Sequence, residues 1–238
     1  MMSHQQQSRL VFFVGPVLLI ATVFLVTLLF STILTPLWLT LPLLAAYYAV
    51  IWLFVAMYQR ILAGDEPVLK RAELRPAFRG LSLWMLLWTV AYPILSGAHS
   101  FRLLAPCLSW GWLVVGIVFS VVNGPSEEIF WRLLLERSGR DGGLSQQVRL
   151  WYSSAMFGSW HFIFIVFLFP PELRTAALIA TITSTFVAGL LWMIVYQRSG
   201  NMFPDIFAHT VTNVLVVFPA AATTMLSLPC ATHSPLAF

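Results

Sequence analysis

From Leu10 to Ile33 the chain carries no charged side chain, and a second run without one extends from Leu37 to Tyr58. About 20 consecutive apolar residues are what a helix needs to cross a bilayer. Within the hydrocarbon every backbone N–H and C=O must find its partner inside the chain, which leaves helices or a closed barrel. The runs are continuous and not alternating, which opposes the barrel. Composition agrees: 59% of the residues are hydrophobic and 9% charged, against about 25% charged in a soluble domain. The expected class is all-α, a polytopic transmembrane helical bundle.

Seven spans are expected, at about 10–33, 37–58, 80–94, 103–122, 150–169, 175–196 and 202–218. The tail after Pro219 would supply an eighth, but Pro229 and Pro235 oppose a helix there. Breaks are expected at "TP" (35–36), "GDEP" (64–67), "NGP" (123–125), "SGRDGG" (138–143), "PPE" (170–172) and "RSGN" (198–201). The length suits one membrane-embedded domain over 1–238, with generic spans over 1–102. The first run is longer than the apolar core of a secretory signal, and no small-residue cleavage site follows it. No lipidation motif or internal repeat is recognisable.

The net charge of +4 does not point to nucleic acid, because the cations are scattered over short loops. Placing the 59–79 and 137–149 loops in the cytoplasm puts Arg9, Arg60, Lys70, Arg71, Arg75, Arg79, Arg137, Arg140, Arg149 and Arg198 on that side. Only Arg102 and Arg174 lie opposite, with Arg132 set apart inside a span. By the positive-inside rule the N-terminus is cytoplasmic and the C-terminus lies across the membrane. The basic 59–79 loop serves as a topology signal or lies along anionic lipid. Cys107 and Cys230 both fall on the outer side, which permits a disulfide but neither a zinc site nor a framework.

Against this background "NGPSEEIFWR" (123–132) is anomalous, with two adjacent glutamates and an arginine among apolar neighbours. One reading is structural. Asn, Pro and Ser start a helix well, acids suit its first turn, and Glu128 and Arg132 pair at i,i+4. The other reading is functional, since ionisable groups inside a membrane are costly and mark sites. Two further polar clusters favour it. "FGSWHF" puts His161 in the fifth span, and "FAHTVTNVL" puts His209 and Asn213 four apart on one face of the seventh. At 1.5 Å per residue, Glu127, His161 and His209 lie about 15, 18 and 12 Å from the cytoplasmic ends of their helices. The expectation is one polar layer open to the cytoplasm.

Two neighbouring carboxylates in a low dielectric do not ionise alike, so one can serve as a general base for a water. Histidines and an amide orient that water or hold an oxyanion. Such a group suits hydrolysis of an amide. Two Glu and two His can also hold a divalent metal such as zinc with an open position, although the helical HExxH signature is missing. No serine has a credible triad: Ser159 and His161, two apart, do not face each other on a helix.

The residues also carry a resemblance. "EEIFWR" matches E-E-x-x-x-R at Glu127, Glu128 and Arg132; "FGSWH" matches F-x-x-x-H at Phe157 and His161; "HTVTN" matches H-x-x-x-N at His209 and Asn213. In this order they resemble the CPBP family, the CAAX proteases and bacteriocin-processing enzymes, also called the Abi or type II CAAX prenyl endopeptidase family. The resemblance implies an intramembrane endopeptidase, usually labelled a metalloprotease, with a catalytic core over 103–218. It implies that Glu127 activates water and that His161 holds the same water or a metal. Glu128 and Arg132 would orient the base, and His209 and Asn213 would stabilise the oxyanion. Phe157 is read as packing, and Asp205 as an acidic first-turn residue behind Pro204.

The substrate on this reading is a prenylated CAAX-type tail, or a leader or membrane peptide, reached from the membrane or the cytoplasm. The alternatives are a non-catalytic scaffold or immunity-type binding protein, and a transporter using the Glu/His layer as a proton relay.

Overall fold

The computed structural model describes residues 2–63, 67, 70–75, 81 and 83–225. They are helical almost throughout, with no strand among the described residues. The helices are α1 (His4–Ser31), α2 (Pro36–Tyr58), α3 (Leu83–Leu86), α4 (Tyr92–Leu104), α5 (Trp110–Glu128), α6 (Leu135–Asp141), α7 (Gln146–Trp160), α8 (Phe162–Leu168), α9 (Pro171–Ser199), α10 (Phe203–Thr212) and α11 (Phe218–Met225). Four π-helical turns extend or join them, at Gln59–Ala63, Leu87–Ala91, Ile129–Leu134 and Asn213–Val217.

Among the described residues six helical stretches are long and apolar enough to cross a membrane: His4–Ser31, Trp38–Ala63, Trp110–Asp141, Gln146–Leu168, Pro171–Ser199 and Phe203–Ala222. The protein is a multi-pass membrane protein. The expected third span is displaced, since α3, a π turn and α4 run without a break over 83–104. Its polar C-terminal half, with His99 and Arg102, keeps it out of the six. The last span continues past Pro219 into α11; Pro229 and Pro235 lie outside the described residues.

Three of the six expected breaks are present, and the one at "GDEP" lies outside the described residues but for Pro67. Pro36 opens α2, Pro171 opens α9, and Gly200 (φ +62°) follows the end of α9. The break at "NGP" is overturned. Helix α5 passes through Pro125, and with the π turn and α6 it forms one stretch over Trp110–Asp141. The reason is packing: a Cβ added at Gly124 would stand 2.4 Å from Thr210 Oγ1 and 3.2 Å from the Thr210 backbone N. Gly124 is there to admit α10, not to turn the chain. Helices in membranes tolerate proline where neighbouring groups meet the freed carbonyl. "SGRDGG" is helical as far as Asp141, so the turn is confined to the residues after it.

The chain forms two compact units, Met1–Ala72 with Ser126–Ile194, and Glu73–Pro125 with Val195–Phe238. In the first, α1 lies against α2, α6, α7 and α8. Phe12, Leu19 and Val23 of α1 face inward, as do Leu39, Leu43, Tyr47 and Ile51 of α2 at intervals of four. Opposite faces expose Leu25, Leu29 and Ile33, or Trp38, Leu41 and Leu53. Both faces are apolar because the outer one meets lipid, so the helices lack the polar side of a soluble amphipathic helix. Polar contacts gather at one end. Tyr58 Oη donates to Asp141 Oδ2 at 2.9 Å, Arg9 Nε to the Gly142 carbonyl at 2.6 Å, and Arg149 Nε to Glu136 Oε1 at 3.0 Å. Small residues bring α7 onto α9: a Cβ at Gly158 would meet Phe186 Cβ at 3.0 Å, and one at Gly189 would meet Phe157 Cδ1 at 3.1 Å.

In the second unit α4 packs on α10, on the Asn213–Val217 turn and on α11. A short segment of the basic loop is docked on the turn between α9 and α10. Met202 N donates to the Glu73 carbonyl at 2.9 Å, Tyr196 Oη to Glu73 Oε1 at 3.3 Å, and Asn201 Nδ2 to the Arg75 carbonyl at 3.1 Å. Cys107 is disulfide-bonded, and Cys230 lies outside the described residues.

Candidate active site

The first motif is built where α5 gives way to the Ile129–Leu134 turn. Glu127, Glu128 and Arg132 are 1%, 0% and 1% exposed. Arg132 Nε lies 3.3 Å from Glu128 Oε2. The guanidinium also sits over two rings, 4.3 Å from the centre of Phe157 and 5.6 Å from that of Trp192. A buried cation needs a counter-charge, and aromatic faces add attraction once water is excluded. Arg132 is thereby fixed on Glu128.

Glu127 faces α2. Trp131, one helical turn after Glu127, donates from Nε1 to Tyr47 Oη at 2.9 Å. The Tyr47 ring stacks on Trp160 with centroids 4.1 Å apart and planes 10° from parallel.

The second motif sits at a flaw in its helix. His161 separates α7 from α8. Its Nδ1 lies 2.8 Å from the Phe157 carbonyl, the acceptor its own backbone N–H would use in an α-helix. The N–H turns to the Gly158 carbonyl at 3.3 Å, and Ile165 N reaches the His161 carbonyl at 3.4 Å. The ring displaces its own backbone, which is a recognised cause of a helix irregularity. A carbonyl only accepts, so Nδ1 carries the proton and Nε2 is the acceptor of the neutral ring. Phe157 therefore serves both motifs, its face under Arg132 and its carbonyl under His161. The reading of Phe157 as packing agrees with this.

The third motif belongs to the second unit. Asp205, His209 and Asn213 repeat at four-residue intervals and are 0%, 4% and 3% exposed. Asp205 lies in the first turn of α10 after Pro204, where the sequence places it. Asn213 opens a π turn, so two of the polar motifs coincide with such turns. Turns of this kind are frequent at functional sites.

Among the described residues no group of three or more His, Cys, Asp and Glu side chains is placed to hold a metal ion. The donors of the first unit's motifs are two carboxylates and one imidazole, and Arg132 already engages Glu128. This set does not fit a preformed zinc shell, and no step below runs through a metal.

Tyr47, Trp131, Trp160 and Trp192 were not among the residues expected at the site. The one available signal was a pair of phenols, "AAYYAV", inside an apolar run, since a buried hydroxyl needs a partner.

Residues 109–215 match the family model described as Type II CAAX prenyl endopeptidase Rce1-like. The matched stretch takes in all three motifs, and over these residues the chain is similar to an Rce1-like domain. No curated protein and no solved structure matches the chain.

Proposed function

We propose that the protein is an intramembrane endopeptidase whose base is Glu127. The observation that carries this reading is a carboxylate 1% exposed, inside the stretch matched by the Rce1-like family model. Glu127 takes a proton from water, and the hydroxide adds to the scissile carbonyl carbon. The protonated carboxyl then gives that proton to the departing amine nitrogen as the C–N bond breaks. The products are a carboxylic acid and an amine, and the base is regenerated.

His161 orients the water through Nε2, the acceptor left when Nδ1 binds Phe157. Glu128 and Arg132 hold each other and so fix the helix turn that carries Glu127. His209 and Asn213 are assigned to the oxyanion, a role that rests on their motif and on their burial within their own unit. The substrates are prenylated CAAX-type tails or leader and membrane peptides, which the apolar surroundings suit.

The test is quantitative mass spectrometry of protein termini from cells making the wild type or Glu127→Gln at equal levels. New termini that appear only with the wild type are the expected result. Identical termini in the two strains would overturn the catalytic reading in favour of a scaffold that binds without cleaving.

A further inference from the structure

We infer that Tyr47 of α2 is a positioning residue for Glu127, directing the carboxylate through a hydrogen bond that Trp131 holds in line. The inference rests on the proposed role of Glu127 as base. Tyr47 lies outside residues 109–215, the stretch that the family model matches.

Donor and acceptor bookkeeping sets the direction of the chain of bonds. An indole N–H only donates, whereas a phenol has one proton and two lone pairs. Trp131 Nε1, 2.9 Å away, therefore occupies a lone pair of Tyr47 Oη. The hydroxyl proton is left over, and the acceptor we assign to it is the Glu127 carboxylate, one helical turn before Trp131. Trp131 and Glu127 are four residues apart on one continuous helical stretch, so that stretch supplies both ends of the relay. Tyr47 closes it from α2.

The phenol has little freedom. Tyr47 is fully buried and its ring is stacked on Trp160. Trp160 in turn contacts the His161 ring, with centroids 4.7 Å apart. One aromatic ladder thus bears on the base and on the imidazole. Filling this space requires a ring but not a hydroxyl, and a phenol buried only for packing leaves a polar group to be satisfied. A donor aimed at the carboxylate keeps one oxygen committed and turns the other toward water. Fixing a reacting group in this way raises kcat and leaves substrate affinity alone.

The test uses the full-length protein in detergent or nanodiscs. The probe is an internally quenched peptide spanning a site found by the terminal comparison. Tyr47→Phe keeps the stacked ring and removes the hydroxyl. Its kcat is expected to fall about 10- to 100-fold, with KM within about twofold and the unfolding temperature unchanged. Trp131→Phe is expected to lose less on its own, and nothing further when added to Tyr47→Phe, because it acts through that hydroxyl. 3-Fluorotyrosine at position 47 restores the donor and should restore most of kcat.

A Tyr47→Phe kcat within about twofold of wild type, or additive losses in the double variant, would overturn the inference. If Tyr47→Phe does not fold, Trp131→Phe is read alone, and an unchanged kcat there overturns it. Glu127→Gln separates the two levels of the reading. If Glu127→Gln is inactive and Tyr47→Phe is normal, only the role of Tyr47 falls; if Glu127→Gln still cleaves, the proposed function falls first.

Discussion

The guanidinium of Arg132 lies 4.3 Å above the centre of the Phe157 ring. The same residue's carbonyl accepts from His161 Nδ1 at 2.8 Å. The cation of the first motif and the imidazole of the second are therefore held by opposite parts of one residue. Phe157 needs no chemistry of its own to matter.

Phe157→Leu should separate these roles. It keeps the carbonyl beneath His161 and removes the ring beneath Arg132. A desolvated cation–π contact is worth about 2 kcal/mol, so peptidase activity should fall roughly 10- to 30-fold if Arg132 loses its position. Steady-state kinetics on folded protein checks this, and unchanged activity would show that Glu128 alone suffices to place Arg132.

Glu128 and Arg132 should behave as a unit in stability. Removing one partner of a buried ion pair costs about 3–5 kcal/mol, because the other charge stays behind. Glu128→Gln and Arg132→Gln should each destabilise by that order, and the double variant by clearly less than their sum. Equilibrium unfolding in mixed micelles measures all four corners of the cycle.

Gly124→Ala should destabilise by about 1–3 kcal/mol, the usual cost of overpacking. The new methyl would press on Thr210 Oγ1. Thr210→Ala should return part of the loss and not all of it, since the Thr210 backbone nitrogen remains 3.2 Å from the added carbon. Unfolding temperatures of the two single variants and the double variant decide the point.

Tyr58→Phe should be mild. It deletes the 2.9 Å bond to Asp141, worth about 1 kcal/mol, and leaves the residues of the three motifs untouched. The unfolding temperature should drop slightly while kcat stays at the wild-type value; a large loss of kcat would tie this end of the bundle to the chemistry.

Much of the site was legible because charge is so rare in this chain. Glu127, Glu128, Arg132, His209 and Asn213 stand out among apolar neighbours, and all five are buried. Tyr47 was illegible for the opposite reason: tyrosine is unremarkable in a membrane helix, and its partners are 80 or more positions away in the chain. The expected break at "NGP" failed because glycine and proline read the same whether they turn a chain or admit a neighbour, and only Thr210 distinguishes the two. The span expected at 80–94 was displaced because its polar half, with His99 and Arg102, is helical as well. The helix flaw at His161 is a tertiary-scale outcome of one ring choosing its own backbone's acceptor, which no periodicity records.

The π turn at Ile129–Leu134 bears on how chains of this kind can vary in length. A π turn commonly amounts to one surplus residue in an otherwise regular helix. A natural variant one residue shorter between positions 129 and 134 would regain an ordinary helix, with the residues beyond it on the same faces as before. Glu136, which holds Arg149, and Asp141, which holds Tyr58, would still point toward their partners. In a regular helix a single-codon deletion rotates one half against the other by about 100°; here it would only remove the bulge.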